Sequence, residues 1–90
     1  MAEVRSYFVK NWHPHKNLNR ILQYRLQLNS QGAIDSITPL GSASVNWLPQ
    51  IKFPSANQPF VSPMEDGKTA KIRVVLDPSG RVQTFLESHD

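Results

Sequence analysis

Large apolar side chains recur at helical spacing at the start of the chain. Val4, Phe8 and Trp12 follow one another at i, i+4 and i+8. This spacing gathers the apolar groups on one side of a helix over residues 2–12. Pro14 disfavours helical backbone at the residue before it, so we expect the helix to end near Trp12. The polar stretch that follows, residues 13–20, is predicted to be a loop.

The hydrophobic period then changes from 3.6 to 2. Over residues 22–28, apolar and polar side chains alternate, which predicts a strand with one buried face and one wet face. The turn-forming segment 29–32 ends in a glycine that can adopt positive φ. A second strand is predicted over residues 33–39. Its isoleucines, Ile34 and Ile37, are three positions apart, so we expect a bulge there.

The last quarter of the chain repeats this arrangement. Apolar and polar side chains alternate again over residues 70–76, which predicts a third strand. The segment 77–80 (Asp-Pro-Ser-Gly) predicts a tight turn. A closing strand is predicted from Val82 onward, and we expect residues 88–90 to be frayed. The two units align at a constant offset of 48 positions, which places Arg25 over Arg73. This alignment indicates either a duplicated strand–turn–strand unit or one turn type used twice.

The segment between the two hairpins is less clearly patterned. Residues 42–53 fit either a short helix or a turn, because Pro49 limits any helix to one or two turns, and Ser42 or Ser44 is a candidate cap. Residues 54–69 predict a long proline-rich loop.

These patterns together predict an α+β fold. An N-terminal helix packs on a small antiparallel sheet of two hairpins, with three to four strands and a short second helix or turn between the hairpins. The predicted core is Phe8, Trp12, Leu22, Tyr24, Leu26, Leu28, Ile37, Leu48, Ile72, Val74, Leu76 and Val82.

Composition limits the size and class of the protein. Ninety residues with seven prolines and four glycines make one small domain, residues 1–90, and exclude a two-domain enzyme or a doubly wound nucleotide fold. Without cysteine there is no disulfide framework and no thiolate nucleophile. No apolar stretch reaches the roughly 20 residues needed to cross a bilayer. Because the chain starts almost directly in an amphipathic pattern, we expect it to be a fragment of a longer protein.

Candidates for catalysis or metal binding are weak. His13 and His15 flank Pro14 but have no third ligand nearby in the sequence, which favours a loop pair without a metal. Among the carboxylates, only Asp35 lies in a predicted strand without a turn role. No serine lies in a nucleophile-elbow pattern, and no glycine-rich phosphate loop occurs. We therefore expect no enzyme, no catalytic residue, no metal and no cofactor.

The net charge of +3 is spread along the chain without a run of four basic residues. The wet faces of the first and third strands carry Arg25, Lys71 and Arg73. If these strands are neighbours, the arginines form a basic stripe that could bind phosphates or an acidic peptide; the alternative is a solvated sheet face. Trp47 is either a core residue, which we favour, or an exposed anchor.

Three segments carry a resemblance to a known family. Residues 7–14 (Tyr-Phe-Val-Lys-Asn-Trp-His-Pro), 24–34 and 50–54 resemble the C-terminal domains of TonB and TolA. The chain is also similar to uncharacterised C-terminal domains of cyanobacterial proteins, which share the tyrosine–arginine strand and the final arginine–valine strand. The TonB resemblance implies a partner-binding role, a periplasmic or envelope-associated location, and a last family strand at residues 70–77.

These observations predict a non-enzymatic protein-interaction domain that binds a partner through a sheet edge. The expected edge strand is 70–76, which contains Val74, and the basic face carries Arg25, Lys71 and Arg73. The alternative is a weak nucleic-acid-binding module that uses the same cations with Tyr24 or Trp47. A third alternative is a purely structural assembly domain.

Overall fold

A computed structural model describes residues 2–55 and 58–89. The elements along the chain are α1 (Ala2–Asn11), β1 (Leu22–Leu28), β2 (Ile34–Leu40), α2 (Ser42–Trp47), β3 (Ala70–Leu76) and β4 (Val82–His89). Single turns of 3₁₀ helix lie at Leu48–Gln50 and Glu65–Gly67. The expected α+β fold is confirmed, with four strands and a short second helix. The strand β4 includes residues 88 and 89, where fraying was expected, and Asp90 lies outside the described residues.

The four strands form one antiparallel sheet in the order β2-β1-β3-β4. The two hairpins join through their first strands, so β3 is an interior strand. The expectation that residues 70–76 form an open edge is therefore wrong. The physical reason lies in the apolar faces: β1 and β3 alternate without interruption, and their inward side chains are at most 1% exposed. Joining these two faces side by side buries the largest continuous apolar area.

The two hairpins use the same turn. Asn29 N–H donates to Ala33 O at 2.9 Å, and Asp77 N–H donates to Arg81 O at 3.0 Å. A glycine with positive φ closes each turn: Gly32 at 83° and Gly80 at 98°. Residues 48 positions apart, which the sequence alignment pairs, therefore occupy equivalent places in the two turns.

The core lies between the inner face of the sheet and α1. All predicted core residues are buried except Ile37 and Leu48, which are partly buried and pack against the core margin. Trp12 closes one end of the core, where its indole N–H donates to Asp77 O at 2.9 Å. Trp47 is also partly buried against the core and stacks at a tilt on His15, with 5.6 Å between ring centroids.

A buried serine attaches α2 to the sheet. Ser44 Oγ accepts a hydrogen bond from Gln23 N–H at 2.9 Å, and the Tyr24 hydroxyl donates to Ser44 O at 2.7 Å. Burial raises the pKa of Tyr24 to about 12. The expectation of a serine cap is wrong, because Gly41 is the N-cap and no side chain caps the helix. Ser44 instead lies inside the helix and faces β1.

Candidate functional site

The sheet has two edge strands, β2 and β4, and they differ in how accessible their backbone is. Asn29, the residue after β1, donates to Ala33, the residue before β2, so by the alternation of an antiparallel ladder the odd-numbered residues of β1 also bond toward β2. Their partners in β2 are Ser36, Thr38 and Leu40. The outward-facing positions of β2 are consequently Ile37 and Pro39, and Pro39 has no N–H to offer a partner.

A loop also covers the start of β2. Gly32 O accepts hydrogen bonds from Phe60 N–H at 3.1 Å and from Val61 N–H at 3.0 Å, and Met64 N–H donates to Ser30 O at 2.8 Å. An isolated bridge between Ala33 and residue 59 continues this contact. The β2 edge is therefore blunted at one end by a loop and at the other by a proline, two ways in which proteins protect a sheet edge.

The β4 edge has neither protection. Within the described parts of the chain, no strand pairs with its outer side. Because Asp77 N–H bonds inward to Arg81 O, the ladder alternation makes every second residue of β4 bond to β3. The residues whose backbone N–H and C=O groups face outward are Val82, Thr84 and Leu86.

Apolar side chains accompany this open backbone on both faces of the sheet. The side chain of Phe85 is 41% exposed and that of Leu86 is 51% exposed. Leu86 is opposite the buried Ile72 and so lies on the inner face, and Phe85 is opposite Arg73 on the outer face. A strand added along β4 would cover both side chains.

A groove of about 420 Å³ runs between α1 and β4. Its walls are formed by Arg5 from α1 and by the segment from Arg81 to Phe85. Both arginines are exposed. The groove therefore lies alongside the outward-facing backbone of β4 and carries positive charge.

The predicted basic stripe is present on the outer face of the sheet. Arg25 and Arg73 are direct cross-strand partners, and Lys71 is opposite Gln27 in the same strand pair. Two like charges in this position repel each other. Glu87 of β4 compensates them: its carboxylate lies 2.6 Å from Arg25 Nε and 3.5 Å from Arg73 Nε.

The geometry of Glu87 depends on an irregularity in β4. The pairing register shifts between Lys71 and Ile72, whose partners are Ser88 and Leu86, so Glu87 is the extra residue of a bulge. The hydrogen bond from Arg25 and the charges of both arginines hold the pKa of Glu87 below its usual range, and the same bond raises the pKa of Arg25. Sequence reasoning missed this carboxylate because it placed no bulge in the closing strand.

The second arginine of the stripe is held by further contacts. The Arg73 guanidinium lies over the Phe85 ring, 4.5 Å from its centroid, and donates to Gln23 Oε1 at 2.9 Å. Val74, by contrast, is fully buried between Tyr24 and Thr84 and is not part of any surface. The structure therefore brings Arg25, Lys71 and Arg73 together and separates Val74 from them.

The candidates His15 and Asp35, and the carboxylate of Glu3, are engaged in hydrogen bonds within the chain. His15 Nδ1 accepts from Asn17 N–H at 3.0 Å, and Asp35 accepts from the Asn29 side chain at 3.3 Å. Glu3 accepts from Ser62 N–H and Oγ at 2.8 and 2.7 Å, which lowers the pKa of Glu3. Over residues 2–55 and 58–89, no three His, Cys, Asp or Glu side chains cluster as metal ligands would.

Comparison with known proteins found no relative of this chain. No family model, curated protein or solved structure matches the chain. The resemblance to TonB and TolA domains thus stays a prediction, and any function must be argued from the surface itself. In the described part of the chain, no helix has the length and apolar character needed to span a bilayer.

Proposed function

We propose that this protein is a non-enzymatic protein-interaction domain that binds an extended segment of a partner as a fifth strand along β4. The observation that carries the proposal is the contrast between the two edges. Pro39 and the loop over Gly32 blunt β2, whereas along the outer side of β4 the described residues place neither a proline nor a covering loop. Strand addition uses such an edge, with backbone hydrogen bonds supplying affinity and side-chain contacts supplying specificity.

The added strand would bond to the outward backbone groups of Val82, Thr84 and Leu86. On the inner face it would cover Leu86, and on the outer face it would cover Phe85, the two most exposed apolar side chains of the strand. Burial of this apolar area would add to the backbone hydrogen bonds. The resemblance to TonB and TolA domains, which implies a partner-binding role, points the same way.

The test removes one outward donor. A library of random nine-residue peptides displayed on phage supplies the probe, and the best binder is then titrated by calorimetry. Thr84→Pro deletes an N–H that faces away from β3, and proline is tolerated at such edge positions. We expect this variant to lose peptide binding at least tenfold, while Thr84→Val, which keeps the N–H, binds as the wild type does.

Two further measurements keep this test decisive. Circular dichroism and urea unfolding establish whether Thr84→Pro is folded. Leu86→Lys removes the exposed apolar contact without altering the ladder, and we expect weaker binding from it as well. Unchanged affinity in a folded Thr84→Pro protein would contradict strand addition at β4.

A second candidate function is single-stranded nucleic-acid binding on the outer face of the sheet. The observation that favours it is the exposed Phe85 ring beside Arg73, since aromatic rings next to cations can stack unpaired bases. Glu87 neutralises part of this charge, which is why strand addition ranks first. Titration with single-stranded RNA at low and high salt separates the two, and absence of binding at low salt would remove this candidate.

A further inference from the structure

The groove beside β4 carries a charge that its own surroundings do not balance. Among the described residues, neither Arg5 nor Arg81 forms an ion pair, and no carboxylate lines the groove. The Asp77 carboxylate accepts a hydrogen bond from Ser79 N–H at 2.9 Å, and hydrogen bonding to Ser79 is the main reason why the pKa of Asp77 is lowered, with a smaller contribution from the charge of Arg81. Glu87 is likewise engaged with the arginines on the outer face.

We propose that the segment bound along β4 is acidic, with its carboxylates held by Arg5 and Arg81. This inference rests on the proposed strand addition and adds the chemical class of the partner. Arg5 reaches the groove from α1, and Arg81 precedes the first outward-facing residue of the strand. Arg81 therefore lies at the β4 end nearest the turn and Arg5 lies beside the same strand, where the carboxylates of a bound segment would meet them.

The order of residues in the partner follows from the same surface. Arg81 directly precedes Val82, whereas the exposed apolar side chains, Phe85 and Leu86, lie further along the strand. An antiparallel partner strand ends beside Val82, so its acidic residues belong in its C-terminal half and its apolar residues in its N-terminal half. An extended segment with this order complements β4 in both charge and apolarity.

A second copy of the chain is a poorer occupant of this edge. In an antiparallel pair of β4 strands, Arg81 of each copy would lie beside the last residues of the other copy's β4, where the Glu87 carboxylate is already engaged with Arg25 and Arg73. The chain also carries a formal net charge of +3, so two copies repel each other at low salt. Charge complementarity thus favours an acidic partner over self-pairing.

The experiment compares three labelled peptides that share a Val/Thr-rich N-terminal half. Their C-terminal halves carry two glutamates, two glutamines or two lysines, and binding is followed by fluorescence anisotropy. We expect the glutamate (Glu) peptide to bind most tightly, the glutamine (Gln) peptide less tightly and the lysine (Lys) peptide most weakly. Arg5→Gln and Arg81→Gln should each weaken the Glu peptide by about two- to fivefold, the range of a solvent-exposed ion pair, and leave the Gln peptide unchanged.

The matched control is Arg20→Gln, which removes the same charge from an exposed loop position that does not line the groove. If Arg20→Gln lowers the affinity for the Glu peptide as much as Arg5→Gln does, the effect comes from net charge alone and the proposal fails. Equal binding of the Glu and Gln peptides, both abolished by Thr84→Pro, would overturn the acidic partner but leave strand addition intact. If no peptide binds, both proposals fail. Dimerisation that Thr84→Pro abolishes would identify a second copy as the occupant and also overturn the acidic partner.

Discussion

Alanine substitutions at the glycines of the two hairpin turns form a matched pair that tests whether the loop over Gly32 covers the β2 edge. Gly32 and Gly80 occupy the same turn position and both have positive φ, at 83° and 98°. A Cβ on Gly80 would meet nothing within 4 Å, whereas a Cβ on Gly32 would overlap Val61 O and lie 2.9 Å from Ser62 O. Alanine at Gly32 therefore strains the backbone and displaces the loop, and alanine at Gly80 only strains the backbone.

The expected costs follow from these contacts. Left-handed backbone costs an L-residue about 1–2 kcal/mol, which both variants incur. Displacing the loop from Gly32 also breaks the hydrogen bonds from Phe60 and Val61 to Gly32 O, worth about 0.5–1.5 kcal/mol each. We therefore expect Gly32→Ala to lower the free energy of unfolding by about 1–3 kcal/mol more than Gly80→Ala does.

Urea unfolding at pH 7, followed by circular dichroism, measures both variants against the wild type. Gly32→Ala should also uncover the start of β2, so we expect it to self-associate more readily than Gly80→Ala in sedimentation velocity. Equal destabilisation by the two alanines, with no difference in self-association, would refute the view that the loop covers the β2 edge.

Two further predictions concern the hydroxyl beside α2 and the carboxylate on the outer face. Tyr24→Phe leaves a buried acceptor, Ser44 O, without its donor and should lower the free energy of unfolding by about 1–3 kcal/mol. Tyr7→Phe loses only an exposed hydrogen bond to Lys52 O, so we expect a much smaller decrease. Equal decreases of the two variants in urea unfolding would contradict this prediction. The pKa of Glu87 is lower in the folded state than in the unfolded state, so its stabilising effect is complete above the unfolded pKa of about 4.3 and is lost as pH falls through the lowered folded pKa. The wild type should therefore be more stable than Glu87→Gln at pH 7 and lose that advantage below about pH 4; a difference in urea midpoint that does not change between pH 7 and pH 2.5 would exclude this role.

Local patterns predict the elements of this fold well. The uninterrupted alternation over residues 22–28 and the Asx–Gly turns depend only on neighbouring residues, and both appear as expected. The three-residue spacing of Ile34 and Ile37 likewise marked a bulge, and the register indeed shifts there, between Gln27 and Leu28.

The arrangement of the edges could not be predicted in the same way. Which strands of two hairpins meet depends on the total area that each pairing buries, a property of the whole sheet. The role of Pro39 follows only once the ladder shows that its position faces outward. Glu87 reaches Arg25 because a bulge redirects it across β3, and Arg5 joins the groove because α1 packs beside β4.

The central claim, that β4 is the docking edge, is tested most directly by amide hydrogen exchange with and without the glutamate peptide. The account predicts that binding protects the N–H groups of Val82, Thr84 and Leu86, while Ile37, the outward donor of β2, exchanges at its unbound rate. Protection of Ile37 instead, or binding that leaves all the outward amides of β4 exchanging freely, would contradict it.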